Sequence, residues 1–134
     1  MTFAKNMKVF RDAQELTKTI VQIERNLPLD MKVTLGRDCI RLCGRILVSI
    51  KMVSLRNAEL KKLVDSNDRD AKIQEIAPWW NEYNTCEDLI SAYMDVCLDD
   101  KNTRKKVGKR EDKYIELLSE IGKQMNRWRK SIEA

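Results

Sequence analysis

Apolar residues recur in this chain at alternating intervals of four and three positions, and this spacing constrains the fold more than any other feature. In the first segment the seam is Val9, Ala13, Leu16, Ile20, Ile23 and Leu27. In the last segment the seam is Tyr114, Leu118, Ile121, Met125, Trp128 and Ile132. Side chains at this spacing share one face of an α-helix. Because the 134 residues include only 4 glycines and 2 prolines, too few for the frequent turns of a sheet, the sequence predicts an all-α protein.

Four amphipathic helices are predicted, over about 8–27, 31–65, 69–99 and 103–132. Pro28 ends the first, residues 66–68 form a turn, and Asn102 or Thr103 can cap the fourth. The second seam runs Leu35, Cys39, Leu42, Ile46, Ile50, Val53, Leu60 and Val64. Short connections favour one domain, residues 1–134, folded as an antiparallel up-down four-helix bundle.

Pro78 lies within the third predicted helix and leaves two alternatives open. It either kinks a helix that begins near residue 69 or occupies the first turn of a helix that begins near residue 77. Because Ile73 and Ile76 already have helical spacing, we favour the long, kinked helix. Gly108 should weaken the start of the fourth predicted helix, because glycine loses more conformational freedom on folding than other residues do.

The second helix becomes apolar around its whole circumference after Arg45. A helix that is apolar all round is buried all round, yet each helix of a bundle this small has a solvent side. We therefore predict that Val48, Met52 and Leu55 are covered by another subunit of a homo-oligomer. The alternative is a slightly apolar surface.

Charge is sorted along the chain, whose net charge is +5. Residues 30–64 contain eight Lys or Arg and three Asp or Glu, residues 65–100 contain two and ten, and residues 101–134 contain eleven and five. Basic helices suit a polyanion as partner, and an acidic helix between them offsets their mutual repulsion. The sorting thus favours nucleic acid binding.

The basic residues are the candidate nucleic-acid contacts. Arg37, Arg41 and Arg45 form a stripe on the second helix away from its seam. The candidates towards the end of the chain are Lys101, Arg104, Lys105, Lys106, Lys109, Arg110, Lys113, Lys123, Arg127, Arg129 and Lys130. Residues 101–113 contain seven Lys or Arg and two acids with no aromatic residue between them, which suits phosphates rather than base edges. The alternative is an ordinary solvated face.

Trp79 and Trp80 are adjacent, so only one of them can face the core squarely. Trp80 is on the seam of the third helix. Trp79 either stacks on a base, fills a groove between subunits, or lies half-buried at the flank of the core. We place Trp79 with Val48, Met52 and Leu55 among the candidate interface residues.

Catalysis and metal binding have little support in the sequence. The chain has no histidine, which is the commonest general base and metal ligand. Cys39 and Cys43 lie one helical turn apart, but buried free thiols are more common than a metal site. The carboxylates of the third helix are scattered, and an ordinary solvated face, or salt bridges to Arg37, Arg41 and Arg45, explains them better than catalysis. We expect no enzyme activity, cofactor, metal or small-molecule substrate.

The first twenty residues contain six charged side chains, and no stretch approaches the roughly 18 apolar residues of a membrane span. We therefore expect no signal peptide and no membrane association. The predicted location is cytoplasmic, where the cysteines stay reduced.

Residues 119–128, which read Ser-Glu-Ile-Gly-Lys-Gln-Met-Asn-Arg-Trp, resemble the closing motif of the Avd family, the accessory variability determinants of diversity-generating retroelements. Leu27-Pro28 and Leu35-Gly36-Arg37 resemble the turn and helix start of that family. Asn126 stands where the family often has glycine. The same fold occurs in proteins encoded by ribosomal-RNA intervening sequences.

The resemblance implies a non-enzymatic four-helix bundle that forms a ring-like homopentamer. It also implies binding to RNA or DNA and to the retroelement's reverse transcriptase, in support of mutagenic complementary-DNA synthesis. Gly122 would then allow close helix approach, and Trp128 would anchor the core. The alternatives are a protein–protein adaptor, or an intervening-sequence protein that has no reverse transcriptase partner.

Overall fold

The computed structural model describes residues 7–134. Its five helices are α1 (Lys8–Glu24), α2 (Arg37–Leu60), α3 (Ser66–Cys97), α4 (Lys101–Val107) and α5 (Lys109–Glu133). A helical turn at Leu29–Met31 and a π-helical segment at Lys32–Gly36 lead into α2 without a break. Residues 7–134 contain no β-strand, so the all-α prediction is confirmed for this part of the chain.

Ion pairs between helices show that neighbouring helices pack antiparallel. Between α2 and α3, Arg45 contacts Glu82 and Glu59 contacts Lys72, so the residue numbers run in opposite directions. Between α1 and α5, Glu15 pairs with Lys113 at 2.8 Å, whereas Lys8 lies 3.7 Å from Glu120. Both pairs of neighbouring helices, α2 with α3 and α1 with α5, are therefore antiparallel.

One hydrophobic core joins the helices, and the seams predicted for α1 and α5 face it. The buried seam residues are Val9, Ala13, Leu16, Ile20, Ile23, Leu27, Tyr114, Leu118, Ile121, Met125 and Ile132, and Trp128 is partly buried against them. In α2 the seam is buried from Cys39 to Leu60. Val64 is 94% exposed, because the helix ends before it. Its assignment to the core was wrong.

The predicted helix boundaries need correction at three places. The first helix ends at Glu24, because short-range hydrogen bonds of Asn26 and Leu27 tighten the chain into a turn ahead of Pro28. The second ends at Leu60. The third begins at Ser66, because the side chain of Asp65 accepts hydrogen bonds from the Asn67 and Asp68 amides.

Pro78 lies within α3, which continues through it from Ser66 to Cys97. The prediction of one long helix is thus confirmed, and the alternative start near residue 77 is wrong. Pro78 is exposed, so solvent reaches the helix surface at this position.

Gly108 divides the last predicted helix into α4 and α5. Its φ of 59° and ψ of −133° are accessible to glycine but costly for a residue with a β-carbon. Asp100, rather than Asn102 or Thr103, is the N-cap residue of α4. Within residues 7–134, no helix has both the length and the apolar character that a membrane span requires.

Candidate nucleic-acid interface

The fourteen candidate cations lie on three helices, and their side chains face outward. All are exposed except Arg129, which is half-buried. Arg37, Arg41 and Arg45 are on α2, and the others are on α4 and α5. The structure therefore distributes them over several faces instead of gathering them into one site.

Six of these cations contact carboxylates of the same chain. Arg45 pairs with Glu82 across the α2–α3 interface, and Lys113 lies 2.8 Å from Glu15 across the α1–α5 interface. The local pairs are Arg41 with Asp38 at 3.3 Å, Arg104 with Glu111 at 3.1 Å, Arg127 with Glu120 at 4.0 Å, and Arg129 with Glu133 at 3.1 Å. These six cations are partly neutralised before any ligand arrives.

The other eight have no carboxylate within 4.0 Å among residues 7–134. They are Arg37, Lys101, Lys105, Lys106, Lys109, Arg110, Lys123 and Lys130. Four of them, Lys101, Lys105, Lys106 and Lys109, lie within nine consecutive residues of α4 and the start of α5. We call these four the α4 lysine cluster.

Two buried, uncharged residues attach α4 to the rest of the fold. Thr103 and Val107, one turn apart, are buried, so the lysines at 101, 105 and 106 are left on the outer side. The Asp100 carboxylate accepts from the Thr103 amide at 2.9 Å and from its hydroxyl at 3.0 Å. Arg104 reaches across the Gly108 turn to Glu111.

A surface depression of about 380 Å³ adjoins the α4 lysine cluster, lined by Gln22, Val107, Lys109, Arg110 and Lys113. The Arg110 Nε donates to the Gln22 side chain at 3.3 Å, and Lys113 is held by Glu15. Arg110 and Lys113 thus both line the depression, and each is held by a side chain of α1.

Asp100→Ala should loosen α4. Backbone and side-chain hydrogen bonds from Thr103 lower the pKa of Asp100 below its usual 3.8. The stabilisation that the carboxylate provides is therefore present above the unfolded-state pKa and is lost as the pH falls through the lower folded-state value. At neutral pH, hydrogen–deuterium exchange of the 101–107 amides should increase in Asp100→Ala. It should change little in Asp100→Asn, which can also cap. Equal exchange in both variants would contradict this.

The acidic helix α3 lies beside α2, and one of its carboxylates and one of its lysines form ion pairs with α2. Glu82 contacts Arg45, and Lys72 lies 3.7 Å from Glu59 of α2. Of the predicted salt bridges to the arginine stripe, only Arg45 has a partner on α3, whereas Arg41 pairs within its own helix. Asp88, Asp95 and Asp99 are exposed and have no cation within 4.0 Å among the described residues.

The four cysteines are buried free thiols. Burial raises the pKa of Cys43 to about 12 and that of Cys86 to about 11, and it also raises the pKa of Cys39. Thiols in this state are poor nucleophiles and poor metal ligands. Within residues 7–134, no three His, Cys, Asp or Glu side chains converge as a metal site.

The candidate interface residues differ in exposure. Val48 is 52% exposed, whereas Met52, Leu55 and Trp79 are half-buried within the single chain. Trp79 packs against the core flank, and Trp80 is buried, with its ring centroid 5.6 Å from that of Trp128 in an edge-to-face arrangement. The strongest apolar exposure on the predicted interface is thus at Val48.

A groove between α3 and α5 was not predicted from the sequence. It is lined by Trp80, Tyr83 and Glu87 of α3 and by Leu118, Gly122, Lys123 and Arg129 of α5. A β-carbon at Gly122 would lie 3.0 Å from a Glu87 carboxylate oxygen. No sequence signal could have found the groove, because it depends on the separation of two helices that are distant in sequence.

No protein-family model, curated protein or solved structure matches the chain.

Proposed function

We propose that this protein is a non-enzymatic, Avd-like accessory protein that binds the phosphates of RNA or DNA and serves a reverse transcriptase. Its unit is an up-down four-helix bundle, with α4 as a short basic extension of the fourth helix. Copies of the unit assemble into a ring-like homo-oligomer, a pentamer by resemblance. The protein thereby presents the same basic surface several times to one polyanion.

The α4 lysine cluster is the observation that carries the nucleic-acid part of this proposal. Its four lysines are exposed and are not ion-paired among residues 7–134, and Lys109 lines the adjoining depression together with Arg110 and Lys113. Ammonium groups that neutralise phosphates release the cations condensed on the nucleic acid, which is the main source of backbone affinity. Cations already held by carboxylates contribute less.

The homo-oligomer and the reverse transcriptase have separate support. Val48 is exposed, and Met52 and Leu55 on the same face of α2 are half-buried, which favours burial of this face against another copy. The reverse transcriptase follows from the resemblance at residues 119–128. A reverse-transcriptase gene beside the gene for this chain, with a near-duplicate repeat next to it, would support that partner directly.

Binding to a single-stranded RNA across a salt series tests the nucleic-acid role. The logarithm of the association constant should fall linearly with the logarithm of the salt concentration, by roughly 0.7 per phosphate contact. Fluorescence anisotropy with a labelled RNA measures the slope. Heparin, a polyanion without bases, should compete. A slope near zero would remove the proposed phosphate contacts.

A protein–protein adaptor is the second candidate. The six intramolecular ion pairs favour it, because they engage basic side chains with carboxylates of the same chain and so leave fewer cations for phosphates. Reversing the charge of Arg37, Arg41 and Arg45 separates the two functions. If assembly is lost while RNA affinity per chain is unchanged, the stripe serves protein contacts. If RNA affinity falls while assembly persists, it serves phosphates.

A further inference from the structure

The groove between α3 and α5 carries opposite charges on its two walls. It has a volume of about 420 Å³, within the range of small-ligand sites. Glu87 lies on the α3 wall, and Lys123 and Arg129 lie on the α5 wall. Glu87 has no cation within 4.0 Å among residues 7–134, so the two walls do not neutralise each other. The groove therefore suits a ligand that carries hydrogen-bond donors at one end and an anion at the other.

Tyr83 and Gly122 fix the position of the Glu87 carboxylate. The buried Tyr83 hydroxyl donates to Oε2 of Glu87. Burial and this hydrogen bond raise the pKa of Tyr83, so its hydroxyl remains a donor at neutral pH. A β-carbon at Gly122 would lie 3.0 Å from the same oxygen, so a side chain there would displace the carboxylate from α5. Because a carboxylate has about four acceptor positions, Glu87 can still accept from a ligand.

The two cations on the α5 wall have hydrogen-bonding capacity to spare. Lys123 is exposed and has no carboxylate within 4.0 Å in the described part of the chain. Arg129 contacts Glu133 through its Nε, at 3.1 Å, which leaves its terminal nitrogens for another anion. Arg129 follows Gly122 by seven residues on the same face of α5, a rise of about 10 Å. A ligand that reaches both Glu87 and Arg129 is therefore longer than an α-amino acid, whose two charges share one carbon.

The floor and the rim of the groove suit a planar heterocycle. Trp80, Leu118 and Met125 are buried and form an apolar floor. Asn84 on one wall and Asn126 on the other are exposed at the rim, and each amide can donate and accept. Proteins read an unpaired base with this combination, an apolar surface against the ring and hydrogen-bonding groups at its edge.

We infer that the α3–α5 groove binds one nucleotide unit, with the base edge on Glu87 and the phosphate on Lys123 and Arg129. The unit is either a free mononucleotide or an unpaired residue of single-stranded RNA. This inference rests on the proposed function and adds base recognition to its phosphate contacts.

Guanine fits the Glu87 carboxylate better than the other bases do. Its ring N–H and its amino group lie side by side, so they can donate to both carboxylate oxygens together. Adenine and cytosine each present an amino group beside a ring nitrogen that accepts. Uracil has one ring N–H between two carbonyl oxygens, which a carboxylate repels. The groove should therefore prefer guanine and reject uracil.

Two short single-stranded RNAs that differ at one position test base recognition. One is an oligouridine, and the other is the same oligouridine with one central guanine. Fluorescence anisotropy on the full chain measures both affinities across a salt series. The wild type should bind the guanine RNA roughly tenfold more tightly, as a well-placed pair of hydrogen bonds to a base allows. The salt slopes of the two RNAs should be equal, because their phosphates are the same.

Glu87→Gln and Asp95→Asn each remove one negative charge from α3. Asp95 is exposed and does not line the groove, so Asp95→Asn is the matched control. Glu87→Gln should lose the preference for guanine, while its affinity for oligouridine stays equal or rises, because loss of a carboxylate reduces repulsion of phosphates. Asp95→Asn should keep the preference. Circular dichroism checks that both variants are helical.

A second pair of variants moves the carboxylate without removing it. Gly122→Ala should reduce the preference for guanine, because the new methyl group pushes Glu87 away from α5. Gly44→Ala is the matched control, since a β-carbon at that helical glycine meets nothing within 4 Å.

Isothermal titration calorimetry with GMP and UMP distinguishes the two sources of the nucleotide. If GMP binds the wild type but not Glu87→Gln, and the two RNAs bind equally, the site serves a free mononucleotide. If the guanine RNA is preferred and GMP does not bind, the site serves a residue of RNA.

Two results would overturn the inference. One is equal affinity for the two RNAs together with no binding of GMP, and the other is a guanine preference that survives in Glu87→Gln. Neither result affects phosphate binding by the α4 lysine cluster, which has its own salt slope. Conversely, a salt slope near zero removes the nucleic-acid role from the proposed function, whereas binding of GMP in the groove can persist.

Discussion

Replacing Lys101, Lys105, Lys106 and Lys109 by alanine is expected to weaken binding to single-stranded RNA by roughly 10²- to 10³-fold at about 0.1 M salt. The four side chains are exposed and have no carboxylate within 4.0 Å among the described residues. If each makes one phosphate contact, the log–log salt slope becomes shallower by about 3. Extrapolated to about 0.1 M salt, that difference in slope gives the stated loss of affinity.

The matched control removes the same charge elsewhere. Arg11, Lys18, Lys61 and Lys62 are also exposed, lie outside the candidate interface, and can be replaced by alanine together. This variant should keep a slope close to that of the wild type. If both quadruple variants lose affinity equally, net charge alone controls binding, and the α4 lysine cluster has no special role. The circular dichroism and mass of both variants should match the wild type.

Trp80→Ala is expected to lower the free energy of unfolding by about 3–5 kcal/mol, the largest effect on stability that we predict for a single substitution. The side chain is 2% exposed and packs edge-to-face on Trp128. It also fills the space between α3 and α5, where the helices are held apart. Truncation leaves a cavity that these two helices can close only partly.

Trp80→Phe should lose much less stability than Trp80→Ala. The indole N–H of Trp80 has no hydrogen-bond partner among residues 7–134, so phenylalanine removes a buried polar group without breaking a hydrogen bond. Trp79→Ala, at the half-buried neighbour, is the second control. Urea unfolding at one fixed chain concentration measures all three variants, since assembly also contributes to apparent stability. Equal losses in Trp79→Ala and Trp80→Ala would contradict this account of the core.

The sequence predicted which helix faces form the core because burial follows the periodicity of apolar residues. Val9 to Leu27 and Tyr114 to Ile132 occupy the predicted faces. Helix ends were predicted less well, because they depend on single side chains. Asp65 reaches the amides of Asn67 and Asp68, which turns a predicted loop into the first turn of α3.

The candidate interface could be predicted only as a set of residue types. Which cations stay free depends on the register of neighbouring helices. For example, Arg45 meets Glu82 because α2 and α3 are antiparallel with that offset. The groove was beyond prediction for a related reason. Its width depends on how far Trp80 and Trp128 separate two helices that are distant in sequence.

Gly108 interrupts the helical backbone between α4 and α5 with a positive φ that few other residues can adopt. The short helix α4 is therefore separate from α5 and is connected to it through Gly108. Its position is fixed by the buried Thr103 and Val107 and by the Asp100 cap. None of its lysines holds the bundle together. Substitutions at those lysines can retune the attraction of the protein for a polyanion without disturbing the core, so charge and stability can be altered independently in this fold.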